Sequence, residues 1–397
     1  MNKNALANMR KKIAFIAGEK KAKRGIYKLT AECRLDDPSK YEKLATGITS
    51  VDNMLHGGIP RGVSYTIISG AAGEGKSTLV SQIQARAIAN TDYTCITYSG
   101  EMGDGLVKWQ LYRQLAGQAG MIDGETLKPK RRGEYFMRDG VARDIETVTR
   151  YQSILFDPTG GDLHIQDPWG VWQKSMEESA AAGIEIFVVD NLMTIVAALA
   201  RSMPRLSDYE RQREFCDWAA RFAKKYNVWL ILVAHTRKPG QGQSYGAGAY
   251  EISGASEIVN LAGTIINYGK YTDKEMENDP TLRQSDRKSK VQKNRLYGDY
   301  DNRGTKVIFD PMTCRVGTTD ADLQDKKFPW RDKFKDRDYL ALVTDEIDPA
   351  TGMTMAEIQK KIDTVLLPAY EAGNDAVRAE IDQLFATIER LMAERQA

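Results

Sequence analysis

The sequence has few of the residues that build disulfide frameworks or metal-bound folds. Its 397 residues include only four cysteines and three histidines. No two cysteines form a CxxC pair, so we expect reduced thiols and no structural zinc site. Long apolar runs are also missing, because stretches such as Val228 to Ala234 are too short to cross a bilayer. We therefore expect a cytoplasmic protein that has no membrane partner.

A strong excess of charge of one sign is missing as well. Fifty-six Lys and Arg against 54 Asp and Glu give a net charge of +2, which says little about partners. Residues 1–30 are the exception, with nine basic residues and a single acid, Glu19. This composition is typical of a solvated arm, and contact with nucleic acid or a neighbouring subunit stays open.

What the sequence does contain, from Thr46 onwards, is an alternation of apolar strands and amphipathic helices. This pattern predicts an α/β fold with a largely parallel sheet flanked by helices. Ile184–Val189 and Val228–Ala234 are apolar without alternation, which indicates central strands on either side of a helix at Asp208–Tyr226. Residues 120–160 are charged and hold several glycines, and we assign no strand there.

Residues 70–77 match the phosphate-binding pattern G-x-x-x-x-G-K-[ST], between a predicted strand and a predicted helix. Gly70, Gly73 and Gly75 let backbone N–H groups approach phosphate oxygens at the helix N-terminus. Lys76 would reach the β- and γ-phosphates, and Ser77 would bind Mg²⁺ through its hydroxyl. The sequence therefore predicts a P-loop that binds ATP, or another nucleoside triphosphate, together with Mg²⁺.

Three further polar residues stand where predicted strands end. Asp190 closes an apolar run and would hold the water shell of Mg²⁺, although an Asp there also serves as a helix cap. Glu101 follows the second strand and is our general base; its alternative is a surface Glu that starts a helix. His235 follows another apolar run, where it would face the γ-phosphate or serve a structural role.

Six motifs in this order resemble the RecA-like helicase domain of DnaB-type replicative helicases. Within that family the chain looks most like the Twinkle helicase and the helicase half of phage primase–helicases. The motifs are 46–52, the P-loop, Glu101-Met102, 188–192, 233–238 and K-N-R-x-x-G-D at 293–299. The resemblance spans roughly residues 45–317 and implies a RecA-like P-loop NTPase fold in a hexameric homo-oligomeric ring.

The resemblance also implies roles for residues outside the P-loop. Arg295 would be an arginine finger and Lys293 a companion sensor, both serving the ATP of the neighbouring protomer. Phe309 would lie against the adenine base. The polar, glycine-rich segment after His235 would hold single-stranded DNA by its backbone in the central channel. The candidate DNA-binding residues in that segment are Arg237, Lys238, Gln241, Gln243 and Ser244.

We therefore divide the chain into three parts and assign a function. Residues 1–44 form a basic N-terminal arm or inter-subunit linker, 45–320 the RecA-like core, and 321–397 a charged, helical C-terminal extension. In the extension, an apolar stripe from Val377 to Leu391 is expected to pack on the body of the protein. The expected function is a replicative DNA helicase in the cytoplasm, which is the host cytoplasm if the source is a phage; a phage, a bacterium and an organelle all stay open as the source. A polymerase, primase or loader is a candidate partner for the extension.

Two alternatives stay open at this point. The segment His56 to Gly62 is close to the pattern of KaiC and RadA, which favours a regulatory or recombination ATPase without unwinding activity. The late K-N-R-x-x-G-D motif favours the helicase. A small-molecule kinase would need an arginine-bearing lid, for which Arg131, Arg132, Arg138 and Arg143 are candidates. The order of the other motifs argues against a kinase.

Overall fold

The computed structural model divides the chain into two compact units, Met1–Tyr41 and Glu42–Ala397. It describes residues 10–14, 30, 33, 35–122, 135–138, 140–158, 165–236, 256–301, 303–335, 351–353, 355–371 and 374–394. In the first unit, a 3-10 turn at Pro38–Lys40 begins where the Asp37 carboxylate accepts a hydrogen bond from the Ser39 N–H. The division of the chain at residues 44 and 320 stays a prediction.

In the second unit, nine strands of the described residues form one sheet. Their spatial order is β9-β8-β7-β6-β1-β5-β4-β2-β3, with parallel pairing from β6 to β3 and antiparallel pairing from β6 to β9. In chain order the strands are β1 Thr66–Gly70, β2 Cys95–Ser99, β3 Ser153–Leu155, β4 Ile186–Asp190, β5 Trp229–His235, β6 Thr264–Lys270, β7 Arg287–Asn294, β8 Thr305–Phe309 and β9 Val316–Gly317.

From Thr49 onwards, the helices of the described residues lie on both faces of this sheet and, after residue 350, in a cluster of their own. They are α1 Thr49–Met54, α2 Lys76–Asn90, α3 Asp104–Ala116, α4 Val141–Thr149, α5 Pro168–Ala181, α6 Leu192–Ala198, α7 Asp208–Tyr226, α8 Ser256–Leu261, α9 Asp273–Asn278, α10 Asp320–Leu323, α11 Met355–Lys361, α12 Leu367–Glu371 and α13 Arg378–Glu394. Two short antiparallel pairs lie outside the sheet, Lys43–Leu44 with Ile59–Pro60 and Met121–Ile122 with Phe136–Met137. Among the described residues, none of the helices has the length and hydrophobicity that a membrane span requires.

The central strands are apolar throughout because each face of the sheet has its own core. Along β4, Val188 packs with α2 and α3, whereas Phe187 and Val189 pack with α6 and α7. Successive residues of a strand point to opposite faces, so a strand covered on both sides needs an apolar residue at every position. The parallel pairing of these strands places their carboxyl ends at one edge of the sheet.

The segment after residue 320 packs into the same core for some distance. The Trp330 indole N–H donates to the Leu115 carbonyl at 2.7 Å. The guanidinium of Arg315 is fully buried, pairs with Asp325 at 2.7 Å and lies 3.9 Å from the Phe328 ring centroid. These contacts tie residues 323–330 to α3 and β9.

The C-terminal helices form a cluster of their own. Their buried side chains are Ile358, Ile362, Leu366, Ile381, Leu384 and Ile388. The stripe on α13 therefore packs against α11 and the π-helical segment Ile362–Leu366, and not on the body of the protein as its spacing suggests. The pattern shows that one face of α13 is buried, but periodicity does not identify the surface that buries it.

Candidate nucleotide-binding site

The sheet register brings the candidate catalytic residues to one edge. Gly70 at the end of β1 lies opposite His235 at the end of β5, and Ser99 at the end of β2 lies opposite Asp190 at the end of β4. These four strands are parallel, so the segments that follow them emerge on the same side. Ligands of open α/β sheets bind outside these carboxyl ends.

The P-loop turns sharply from β1 into α2. Gly73 and Gly75 have φ values of +73° and +97°, which residues with a side chain rarely adopt. A Cβ on Gly70 would lie 2.0 Å from the Tyr268 carbonyl oxygen, so the close approach of β6 also requires glycine. The loop therefore needs its glycines for backbone shape and for packing.

Lys76 lies within this loop, with its side chain buried. Its ammonium group donates to the Ala71 carbonyl at 2.7 Å and lies 3.2 Å from His235 Nδ1. Burial lowers the pKa of Lys76, and the charges of Glu74, Asp190 and Glu101 oppose that shift. The ammonium group thus lies close to three carboxylates. A bound phosphate would replace the Ala71 carbonyl as its hydrogen-bond acceptor.

Ser77 and Asp190 are joined by a hydrogen bond between hydroxyl and carboxylate. Burial raises the pKa of Asp190 above its ordinary value, and the bond from Ser77 opposes that shift. Mg²⁺ in nucleotide sites is held by one or two protein oxygens, phosphate oxygens and water. The adjacent hydroxyl and carboxylate oxygens fit this requirement, and a bound Mg²⁺ would neutralise charge on the phosphates.

Asn191 connects the two remaining candidates. Its Nδ2 donates to Glu101 Oε1 at 2.5 Å and lies 3.0 Å from His235 Nε2, which is itself 3.2 Å from Glu101 Oε1. Its Oδ1 accepts the N–H groups of Met193 and Thr194 at the start of α6, which fixes the direction of the amide. Asn191 is not among the residues predicted from sequence, although its position directly after Asp190 was a usable signal.

A pocket of about 220 Å³ lies beside the P-loop. Its lining residues are Gly73, Glu74, Gly75, Thr78, Tyr268, Arg287 and Phe309. Phe309 therefore lies beside the P-loop, where an aromatic ring is available to a nucleotide base. Tyr268 and Arg287 were not predicted from sequence, because β6 and β7 reach the loop only through the tertiary fold. Glu74 lies within the P-loop motif itself, but the motif leaves that position unspecified.

Glu74 holds the loop against β6. Its carboxylate accepts the Ala71 N–H at 2.6 Å and the Lys270 N–H at 3.2 Å, and its carbonyl accepts from Arg287 Nε at 2.9 Å. A carboxylate inside a phosphate-binding loop opposes anion binding by its charge. Here its bonds to two backbone N–H groups compensate part of that charge.

Lys293 and Arg295 lie together, but not at this edge. Asn294 pairs with Thr264, which pairs with Thr66 at the amino end of β1, roughly 13 Å along the strand from Gly70. Lys293 Nζ donates to the carbonyls of Val259 and Asn260 at 2.7 and 2.9 Å, and Arg295 also donates to Asn260. Burial and the neighbouring Arg295 lower the pKa of Lys293 to about 8.

The candidate DNA-binding residues Arg237, Lys238, Gln241, Gln243 and Ser244 lie outside the described residues. The described part of this region ends at Thr236, directly after His235 closes β5 at the P-loop edge.

A model of the AAA domain family matches residues 30–241, more than half of the sequence. The chain belongs to the AAA domain family. This family implies nucleotide binding, typically with Mg²⁺, in keeping with the P-loop and the Ser77–Asp190 pair. No curated protein sequence matches this AAA domain protein.

Solved structures similar to this AAA domain protein include a DnaB-like replicative helicase, described with its interactions with primase. It aligns with a TM-score of 0.52 and 16% identity over 70% of this chain, which spans 63% of the helicase. The isolated ATPase domain of a second helicase aligns with a TM-score of 0.52 and 15% identity. The alignment covers 71% of this chain and 93% of that domain. The RadB recombinase aligns with a TM-score of 0.44 and 18% identity, over 70% of this chain and 99% of the recombinase. The two alignments with TM-scores above 0.5 confirm the predicted RecA-like fold.

Proposed function

We propose that this AAA domain protein is a ring-forming replicative DNA helicase. In each subunit interface, ATP hydrolysis would drive translocation on single-stranded DNA and unwinding of duplex DNA. The observation that carries the proposal is the separation of Arg295 and Lys293 from the P-loop of their own chain. Because Lys293 and Arg295 lie at the opposite edge of the sheet, they are too far from this P-loop to contact its ATP. They are available to the ATP of a neighbouring protomer.

The half-site at the P-loop edge supports hydrolysis of a nucleoside triphosphate. The P-loop amides and Lys76 would bind the phosphates, Ser77 and Asp190 would hold Mg²⁺, and Phe309 would contact the base. Glu101 would orient or deprotonate the attacking water, with its carboxylate held by Asn191. His235 lies between Lys76 and Glu101, in position to respond to the γ-phosphate. Arg295 of another protomer would add a guanidinium that stabilises the charge of the transition state.

We expect Glu101→Gln to bind nucleotide with unchanged affinity and to lose hydrolysis by about 10²-fold or more, because general-base catalysis contributes about 10²–10⁴-fold. Gln keeps the size of the side chain and an oxygen that accepts from Asn191, so the fold is preserved. Single-turnover hydrolysis and binding of a fluorescent nucleotide separate the two effects. Glu277→Gln, on the exposed surface of α9, is the matched control. Hydrolysis at the wild-type rate in Glu101→Gln would remove Glu101 from the mechanism.

DNA contact is assigned to the segment after β5, on the basis of its composition. Glycines allow close approach, and Arg237, Lys238, Gln241, Gln243 and Ser244 donate hydrogen bonds to phosphates without reading bases. A hexameric ring would bring six such segments to a common channel. The C-terminal helices, which form their own cluster, are the part we assign to docking of a polymerase, primase or loader.

The decisive experiment is strand displacement on a forked duplex. We expect ATPase activity to rise with single-stranded DNA and the forked duplex to be unwound in an ATP-dependent manner, whereas Lys76→Ala protein displaces no strand. ATPase stimulation without strand displacement would instead favour a regulatory or recombination ATPase of the KaiC or RadA kind, to which the segment from His56 to Gly62 is similar.

A further inference from the structure

Two sequence motifs that pointed to different families meet in the fold. His56, from the segment similar to KaiC and RadA, contacts the turn that follows Arg295 in the late K-N-R-x-x-G-D motif. His56 Nε2 lies 2.5 Å from the Asp299 carboxylate. The imidazole also stacks on the Tyr297 ring, with centroids 4.0 Å apart and an interplanar angle of 25°. Lys43 adds an ammonium group 4.8 Å from the centroid of the same ring.

The turn that carries Arg295 is held at its other end by backbone hydrogen bonds. The Arg295 N–H donates to the Gly263 carbonyl at 2.9 Å, and the Gly298 N–H closes the turn onto the Asn294 carbonyl at 2.7 Å. Gly298 has a φ of +82°, which the tight turn requires. Arg295 is thus fixed on the sheet side through its backbone, and the outer side of the turn is fixed by His56.

His56 itself has an uncommon backbone conformation. Its φ is +54°, in the left-handed region that residues other than glycine rarely adopt. This conformation ends α1: the His56 N–H donates to the Asn53 carbonyl at 3.1 Å and the Gly57 N–H donates to the Asp52 carbonyl at 2.7 Å, as in many helix C-termini. The helix end therefore fixes where the His56 side chain starts. The pair with Asp299 is half exposed on both sides, and exposed ion pairs contribute little to folding stability. The geometry therefore favours a local role over a contribution to overall stability.

We propose that His56, Tyr297 and Asp299 are positioning residues that orient the turn from which Arg295 reaches the ATP of a neighbouring protomer. The proposal rests on the function proposed above. A guanidinium stabilises a transition state only when it is held close to its productive position, and small displacements cost large factors in rate. Loss of the contact with His56 would leave the outer side of the turn free, so that Arg295 would spend less time in position.

We expect His56→Ala and Asp299→Ala each to lower the DNA-stimulated kcat about tenfold, equivalent to about 1.4 kcal/mol. Nucleotide KM and Tm stay unchanged, because the P-loop edge and the core are not touched. The double variant falls no further than either single variant, since the two residues act through one contact. The matched control is Tyr300→Ala, one residue beyond Asp299 and 61% exposed, which should keep the wild-type kcat. A raised KM, a lowered Tm or multiplied losses in the double variant would contradict the proposal.

Mixed oligomers test whether the defect acts on the neighbour. Asp299→Ala protein keeps an intact P-loop half-site, and Glu101→Gln protein keeps an intact Arg295 turn. We expect their mixture to recover hydrolysis, as the mixture of Arg295→Ala with Glu101→Gln should. Recovery with Arg295→Ala but not with Asp299→Ala would overturn the positioning role alone. Recovery in neither mixture would overturn the proposed function and this inference with it.

Discussion

Lys76→Ala is expected to lose ATP hydrolysis by about 10³-fold or more, because a single preorganised donor at a reacting oxyanion contributes about 10²–10³-fold and Lys76 also contributes to phosphate binding. The ammonium group is the buried cation that lies among Glu74, Asp190 and Glu101 at the P-loop edge. Without it, these carboxylates repel the triphosphate. Steady-state hydrolysis and fluorescent-nucleotide binding should both show the loss.

The fold should survive this substitution. Lys76 makes its described hydrogen bonds to the Ala71 carbonyl and to His235, not to the hydrophobic core. We therefore expect a cooperative thermal transition in Lys76→Ala, and Lys274→Ala on the exposed surface of α9 is the control for loss of a lysine charge. Turnover retained in Lys76→Ala protein would show that the loop at 70–77 is not the phosphate site.

Arg295→Ala is expected to bind nucleotide normally and to lose hydrolysis by about 10³-fold or more, the range in which arginine fingers act. The reason is positional: Arg295 follows β7 at the amino end of β1, whereas the P-loop follows the carboxyl end of β1. Removal of its guanidinium leaves the nucleotide pocket of the same chain intact. Binding and single-turnover hydrolysis, measured on assembled protein, test both parts of the expectation.

Mixing with Glu101→Gln protein then distinguishes a role within the chain from a role across an interface. At interfaces where an Arg295→Ala subunit contributes the P-loop and a Glu101→Gln subunit contributes Arg295, hydrolysis should return. Arg303→Ala, exposed and beyond the same turn, should behave as wild type. If no mixing ratio recovers turnover, Arg295 does not act on a neighbour.

The fold could be predicted where local signals agree with the tertiary structure. The helix Asp208–Tyr226 has the limits expected from sequence, because Ser207 and Glu210 form a reciprocal cap at its start and Asn227 takes a left-handed conformation at its end. The buried runs of β4 and β5 were recognised as strands since they lack a polar face. Their parallel alignment then brings Glu101, Asp190 and His235 to the P-loop edge, although their roles stay predictions.

Other features depend on contacts that are distant in sequence and could not be predicted. Strand β3 is three residues long, and Ile154 and Leu155 remain partly exposed, so it carries no burial pattern. Tyr268 and Arg287 enter the pocket beside the P-loop only because β6 pairs with β1 and β7 pairs with β6. The apolar stripe of α13 showed that a face is buried, but its partners lie on α11 and the π-helical segment.

Strand β6 has a consequence for how sites in the proposed ring communicate. Its carboxyl end carries Tyr268 beside the P-loop, and its amino end, at Thr264, pairs with the residue that precedes Arg295. Strand β7 pairs with β6 from Thr264 to Lys270, and β1 pairs with it from Thr264 to Asn267, along a strand about 20 Å long. In the proposed ring, a nucleotide that displaces the carboxyl end of β6 would shift its amino end as well. The seven residues of this strand would then connect the nucleotide bound by a protomer to the Arg295 that the protomer presents to its neighbour.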